Sequence, residues 1–197
     1  MLAYSLYWEF LDASESGLPH TLVPVTETIT SFPSDSGRTL PCVGEIKCNV
    51  DASFSSDSLQ GGDGAVFRDN HGSILYAVVF CPFKAQNASL AKAVCLRKSS
   101  AMGHHFSFDR CWFETDSVIV CKAVLDADAC SVDLAAIIHD IQCVLKRVPS
   151  FLLSHVRRHG NEVAHMIAKL SQSHLHEDIF LSHIPLDILH RAQLDLQ

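Results

Sequence analysis

The architecture turns on residues 45–81, EIKCNVDASFSSDSLQGGDGAVFRDNHGSILYAVVFC. From Ile46 to Phe54 apolar and polar residues alternate, the period-two pattern of a strand. Residues 55–62 form a Ser/Asp/Gly loop, and Gly64 to Arg68 predicts a second strand. Asp69-Asn70-His71-Gly72 is hairpin-turn chemistry, because Asn and Gly tolerate positive φ. Residues 73–81, SILYAVVFC, are rich in β-branched and aromatic side chains and predict a third strand. Three consecutive antiparallel strands therefore open this region.

Downstream the period changes. Residues 87–102 are Ala/Leu/Lys-rich and predict a helix, with Asn87 or Ser89 as its cap. Cys111-Trp112-Phe113-Glu114-Thr115 is a short, mostly apolar run suited to a strand buried on both faces. Asp116-Ser117 ends it and leads into a helix over 118–125. Residues 132–147 predict an amphipathic helix, with Leu134, Ile137, Ile138, Ile141, Val144 and Leu145 on one stripe. Residues 151–156 predict a fifth strand, and 161–171 a final helix with Val163, Met166, Ile167 and Leu170 facing inward. The order β-β-β-α-β-α-α-β-α implies an α/β fold. Its mixed five-stranded sheet has three antiparallel strands, then two parallel ones, with helices on both faces.

Upstream, residues 1–44 carry linker chemistry such as Ser31-Phe32-Pro33-Ser34-Asp35-Ser36-Gly37, and are expected to be a largely disordered leader with a short helix near 3–11. Residues 172–197 form a His-rich tail without a clear pattern. The domain is thus expected over 45–171. No internal repeat is present.

Composition narrows the classes. The chain has 197 residues, 48% hydrophobic and 19% charged, enough apolar content to build a core. Its 15 basic and 22 acidic residues leave a net charge of −7, which excludes a generally polybasic nucleic-acid binder but not a local basic patch. No run approaches the ~18–20 apolar residues of a membrane span. The first residues, MLAYSLYWEF, lack a basic region and resemble no secretory signal, so an intracellular location, nuclear or cytoplasmic, is expected. The eight cysteines include no C-x-x-C pair and are expected to be reduced, buried small hydrophobes rather than zinc ligands.

Two aspartates stand out by position. Asp51 lies inside the first strand, where charge is unfavourable. Asp116 lies at the carboxyl end of the fourth, where open α/β sheets place their sites. If those strands are neighbours the carboxylates converge, and such a pair suits a hard divalent cation such as Mg²⁺. The alternative is that Asp116 merely caps a helix and Asp51 faces solvent.

Four stretches together resemble a known family. They are Lys47-Cys48-Asn49-Val50-Asp51-Ala52-Ser53, the stretch from Gly64 to Gly72, Glu114-Thr115-Asp116-Ser117, and the segment 155–169 (HVRRHGNEVAHMIAK). They are similar to the ribonuclease H-like domain, in particular the reverse-transcriptase-like branch found in plants and derived from non-LTR retroelements. The resemblance covers about residues 45–171. It implies a three-layer ribonuclease H-like fold and hydrolysis of the RNA strand of an RNA–DNA hybrid, with four acidic residues holding two Mg²⁺ (or Mn²⁺) ions.

Carried over by motif, Asp51 and Asp116 match two of the acidic metal ligands and are intact. His165 stands where the last helix carries an acidic residue, a change that a neutral imidazole tolerates as ligand or proton shuttle. Lys92, in Ala91-Lys92-Ala93, stands at the position of the family's glutamate. No Asp or Glu occurs between Lys84 and Phe108 to replace it.

Changing −1 to +1 there shifts the charge by two units. At ~4 Å and an effective dielectric of ~20, each unit interaction is about 4 kcal/mol before screening. An ammonium pairing with Asp51 or Asp116 would compete with the metal, so Mg²⁺ binding is expected to be weak and the nuclease weakened or lost. The alternative is that Lys92 snorkels away from the site.

Around the last strand and helix, Arg157, Arg158, His159 and Asn161 are expected to bind nucleic acid, with Lys169 beside them and Lys146 and Arg147 just upstream adding positive charge to the patch. Such a patch reads an A-form-like hybrid by its phosphates and shape. The alternatives are a helix N-cap for Asn161 and, for His159, a solvent-exposed loop residue or the mobile proton-transferring histidine that the resemblance implies. A non-catalytic nucleic-acid-binding or interaction module on the same fold is the second reading.

Overall fold

The computed structural model describes residues 39–126, 130–173, 178–180 (as backbone) and 184–194; the expectations for 1–38 fall outside this set. The elements run β1 (Ile46–Ser55), β2 (Gln60–Arg68), β3 (Ile74–Val79), β4 (Phe83–Lys84), α1 (Ala88–His105), β5 (Arg110–Thr115), α2 (Val118–Leu125), α3 (Ala135–Leu145) and β6 (Ser150–His155). A 3-10 turn (Arg158–Asn161) then leads to α4 (Glu162–Ser171), β7 (Asp178–Phe180) and α5 (Leu186–Leu194).

The sheet order is β6-β5-β1-β2-β3-β7, with β4 pairing β2. β1, β2 and β3 are antiparallel neighbours, while β5 runs parallel to β1 and β6 parallel to β5. The expected five strands are all present in the expected relation. β4 and β7 are additional. β7 adds antiparallel to β3, and α5 buries Ile188 and Ala192 in the same cluster as Val163, Ala164 and Ile167 of α4, so part of the tail belongs to the sheet-and-helix body.

Strand alternation divides the core in two. Cys48, Val50, Ala65, Phe67, Val78, Cys111 and Phe113 face α1, α2 and α3, whose buried residues include Leu96, Val120, Ile138 and Ile141. Val66, Ala77 and Val79 point the other way, against α4 and α5. This is the three-layer arrangement that period-two strands and amphipathic helices dictate. Among the described residues no helix is long and apolar enough to cross a membrane.

Local chemistry sets the boundaries. Asn87 caps α1, its Oδ1 accepting from the Leu90 backbone N–H at 2.8 Å. Ser117 caps α2 by accepting from Val120. In the β2–β3 hairpin Gly72 has φ of +79°, and Asp69 Oδ1 accepts from the His71 and Ser73 N–H groups.

β2 begins at Gln60, inside what reads as loop, because Gly61 and Gly62 pair with Phe54 and Ser53 of β1. The glycines there let α4 lie close: a Cβ on Gly62 would sit 2.8 Å from the Ala168 carbonyl, and one on Gly64 2.8 Å from the Ala168 nitrogen. Ser53 Oγ donates to the Ala168 carbonyl at 2.9 Å and Ser171 Oγ to the Phe80 carbonyl at 2.6 Å, fixing α4 on the sheet.

Of the cysteines, Cys48, Cys95, Cys111 and Cys121 are buried free thiols, as expected. Cys42 and Cys143 are exposed, and Cys81 and Cys130 half-buried, so core packing does not account for all eight.

Candidate active site

The parallel pairing of β1 and β5 ends at Val50 opposite Thr115. Asp51 is the next residue of β1 and Asp116 the next after β5, so both carboxylates stand where the strands open at their carboxyl ends. Ser117, not Asp116, caps the following helix, which leaves the Asp116 carboxylate for the crevice. Asp51 is buried rather than solvent-facing. Both parts of the bland alternative therefore fail.

Lys92, in the second turn of α1, reaches into the gap between them. Its Nζ lies 3.0 Å from Asp51 Oδ1 and donates a short bond to Asp116 Oδ1. The lysine does not snorkel away; one ammonium ties together the two carboxylates that the sequence marked as metal ligands.

On the other side of Asp51, His165 of α4 has Nδ1 2.8 Å from Asp51 Oδ2. Arg158 Nη2 lies 3.2 Å from His165 Nε2. A guanidinium can only donate, so Nε2 accepts and the imidazole proton sits on Nδ1, aimed at Asp51. His165 comes this close because Gly64, the β2 partner of Asp51, admits α4. The result is one line of contacts: Arg158, His165, Asp51, Lys92, Asp116.

Beneath it runs a buried polar network that the sequence reading passed over. Lys47 Nζ pairs with Glu114 Oε1 at 2.8 Å and lies over the Trp112 ring. Asn49 Nδ2 donates to Glu114 Oε2 at 2.8 Å and to Asn161 Oδ1 at 3.2 Å. Asn161 Nδ2 donates to the Val50 carbonyl at 2.9 Å. The signal was available: Lys47, Asn49 and Asp51 are alternate residues of one strand, so three polar groups share a face that the fold buries.

This corrects Asn161, which was expected to contact nucleic acid. It is buried, makes no capping bond, and spends its amide on β1, so it positions the strand carrying Asp51.

The basic patch also needs correction. Arg157, Arg158, His159 and Lys169 are exposed at the carboxyl end of β6 and along α4, but Lys146 and Arg147 precede the opposite end of that strand. Six extended residues at ~3.3 Å each separate the two groups, so sequence proximity did not become a single patch.

Burial pushes the Asp51 carboxyl above its ordinary range, and the Lys92 ammonium is the chief opposing influence, with Asp116 adding to the rise. For Lys92, burial acts to lower the pKa, but the Asp51 and Asp116 carboxylates outweigh it and hold the ammonium above its usual value. The donor set therefore fits a divalent ion poorly. Two carboxylates converge, but each commits an oxygen to a cation already present. Among the described residues no group of three or more His, Cys, Asp or Glu is placed to hold a metal ion.

Comparison with known proteins agrees with the fold. A family model described as reverse transcriptase-like matches residues 49–171, more than half of the chain. Among curated proteins nothing matches. Among solved structures, the fold is similar to RNase H1 from the halophilic archaeon Halobacterium salinarum NRC-1, 19% identical, covering 66% of this chain and 98% of the other at a TM-score of 0.60. It is also similar to LC11-RNase H1, isolated from compost by a metagenomic approach: 17% identity, 66% and 96% coverage, TM-score 0.59. The structure of LC11-RNase H1 in complex with RNA/DNA hybrid matches at 16% identity, 64% and 96% coverage and a TM-score of 0.58.

Proposed function

From the premise that the chain belongs to the reverse transcriptase-like family and has the ribonuclease H fold, we propose that it binds RNA–DNA hybrid and hydrolyses the RNA strand weakly or not at all. The observation that carries this reading is the Lys92 ammonium bonded to both Asp51 and Asp116. A divalent ion bridging these carboxylates would have to displace that ammonium or share the site with it. A penalty of about 3 kcal/mol, less than one unshielded unit interaction at this range, weakens metal binding by about a hundredfold.

Binding has separate support. Arg157, Arg158, His159 and Lys169 are exposed beside the crevice, and a structure of the same fold holds an RNA/DNA hybrid. The retention of Asp51 and Asp116 side by side supports the opposing reading, an enzyme that works with a displaced lysine.

Cleavage of an end-labelled RNA–DNA hybrid in Mg²⁺ and in Mn²⁺ separates the two. The expected result is little or no cleavage by the wild type and a gain of at least about a hundredfold in Lys92→Glu. Wild-type cleavage that disappears in Asp51→Asn would overturn the proposal and make this an active nuclease.

A further inference from the structure

We propose that Lys92 is itself the phosphate-binding cation of this site, so that the hybrid backbone docks in the crevice without a divalent metal. The inference rests on the hybrid-binding reading above and deepens it.

An ammonium has three N–H donors. At Lys92 one goes to Asp116, the ammonium is ion-paired with Asp51 Oδ1 at 3.0 Å, and among the described residues no further protein acceptor lies against it. The carboxylates lie deeper than the lysine: the Asp51 and Asp116 side chains are 3% and 8% exposed, against 18% for Lys92 and 19% for His165. A backbone phosphate entering the crevice therefore meets the ammonium before it meets the acids.

The charges also permit it. Two bare carboxylates would repel a phosphodiester, whereas here Lys92 and Arg158 bracket Asp51 and bring the formal charge of the line of contacts to zero with His165 neutral. The remaining N–H of Lys92 and the exposed guanidinium of Arg158 are then donors to phosphate oxygens, from a centre that its carboxylates hold in place. The residue that excludes the metal supplies the positive charge that the phosphate needs.

The test is fluorescence anisotropy with a labelled RNA–DNA hybrid, in EDTA and in Mg²⁺, across a salt series. Single phosphates are neutralised in turn as methylphosphonates. The wild type should bind equally with and without Mg²⁺ and lose about tenfold affinity at one phosphate. Lys92→Met should bind about tenfold more weakly, be indifferent to that methylphosphonate, and show a salt slope shallower by about one unit. Lys92→Arg should keep the metal-free binding.

Wild-type binding that requires Mg²⁺, or a scan in which no single phosphate matters, overturns the inference and leaves hybrid binding standing; both are read on the native chain, whatever the folding of Lys92→Met. The same holds if folded Lys92→Met binds as tightly as the wild type. Absence of any hybrid binding by the wild type overturns both this inference and the reading beneath it.

Discussion

Asp51 is held between opposing influences. Burial and Asp116 raise its pKa, while Lys92 and the His165 hydrogen bond lower it. Removing the lysine therefore drives the carboxyl further up: in Lys92→Met the Asp51 titration, followed by carboxyl-carbon NMR, should move to higher pH than in the wild type. An unmoved titration would mean that the 3.0 Å pair contributes little. The same variant should lose about 2 kcal/mol of stability near neutral pH, below the several kcal/mol of a fully buried broken pair because Lys92 keeps some solvent. The loss should shrink in acid, where protonated Asp51 no longer needs a counter-charge. The sequence disclosed Asp51, Asp116, Lys92 and His165, since motif order and the strand–helix junction mark them. It could not disclose that one ammonium reaches both acids, which depends on the depth to which α1 packs. Asn161 fills neither of its expected roles, nucleic-acid contact or helix cap, for a related reason: only the packed sheet reveals that Val50 claims its amide.

Between elements, α4 lies close on β2, and Gly64 sets that approach. Gly64→Ala places a methyl against Ile167 and the Ala168 backbone, which cannot yield as a flexible side chain would. The expected cost is about 3 kcal/mol in chemical denaturation, near the upper end for overpacking, together with loss of the His165–Asp51 contact. A Gly64→Ala chain of wild-type stability would show that α4 slides freely.

On the opposite face of β2, Asp63 meets Lys98 of α1 at 3.0 Å, and burial lifts its carboxyl to about 6. The folded state then binds a proton more tightly than the unfolded chain, so this group's contribution falls as pH rises from about 4 to about 6, by at most about 3 kcal/mol. Asp63→Asn should remove that descending component from stability measured across this pH range. The long elements were legible because six or more residues establish a period. The two-residue β4 and three-residue β7 were not, since neither is long enough to have one.

For the whole molecule, the C-terminal elements complete a layer. β7 pairs the outer edge of β3 and α5 covers α4, with Arg191 reaching Glu162 at 2.7 Å. A chain ending at residue 173 would expose the β3 edge and part of the Val66, Val79 and Ile167 cluster. It should denature at lower denaturant concentration than the full chain and self-associate on size exclusion, as unpaired edges do. A monomeric truncation of equal stability would make the tail an ornament. The tail's single strand was illegible because it is three residues long and defined by its partner rather than by its own residues.

The Lys92 ion pairs carry a last consequence, one for heredity. Asp51, Asp116 and their supporting network stand assembled around the lysine, so the proposed inhibition would reside in one side chain rather than in the scaffold. Lysine and glutamate codons differ only in their first base. On the proposed reading, a lone A-to-G transition separates the gene of a quiet hybrid binder from that of a rebuilt carboxylate triad.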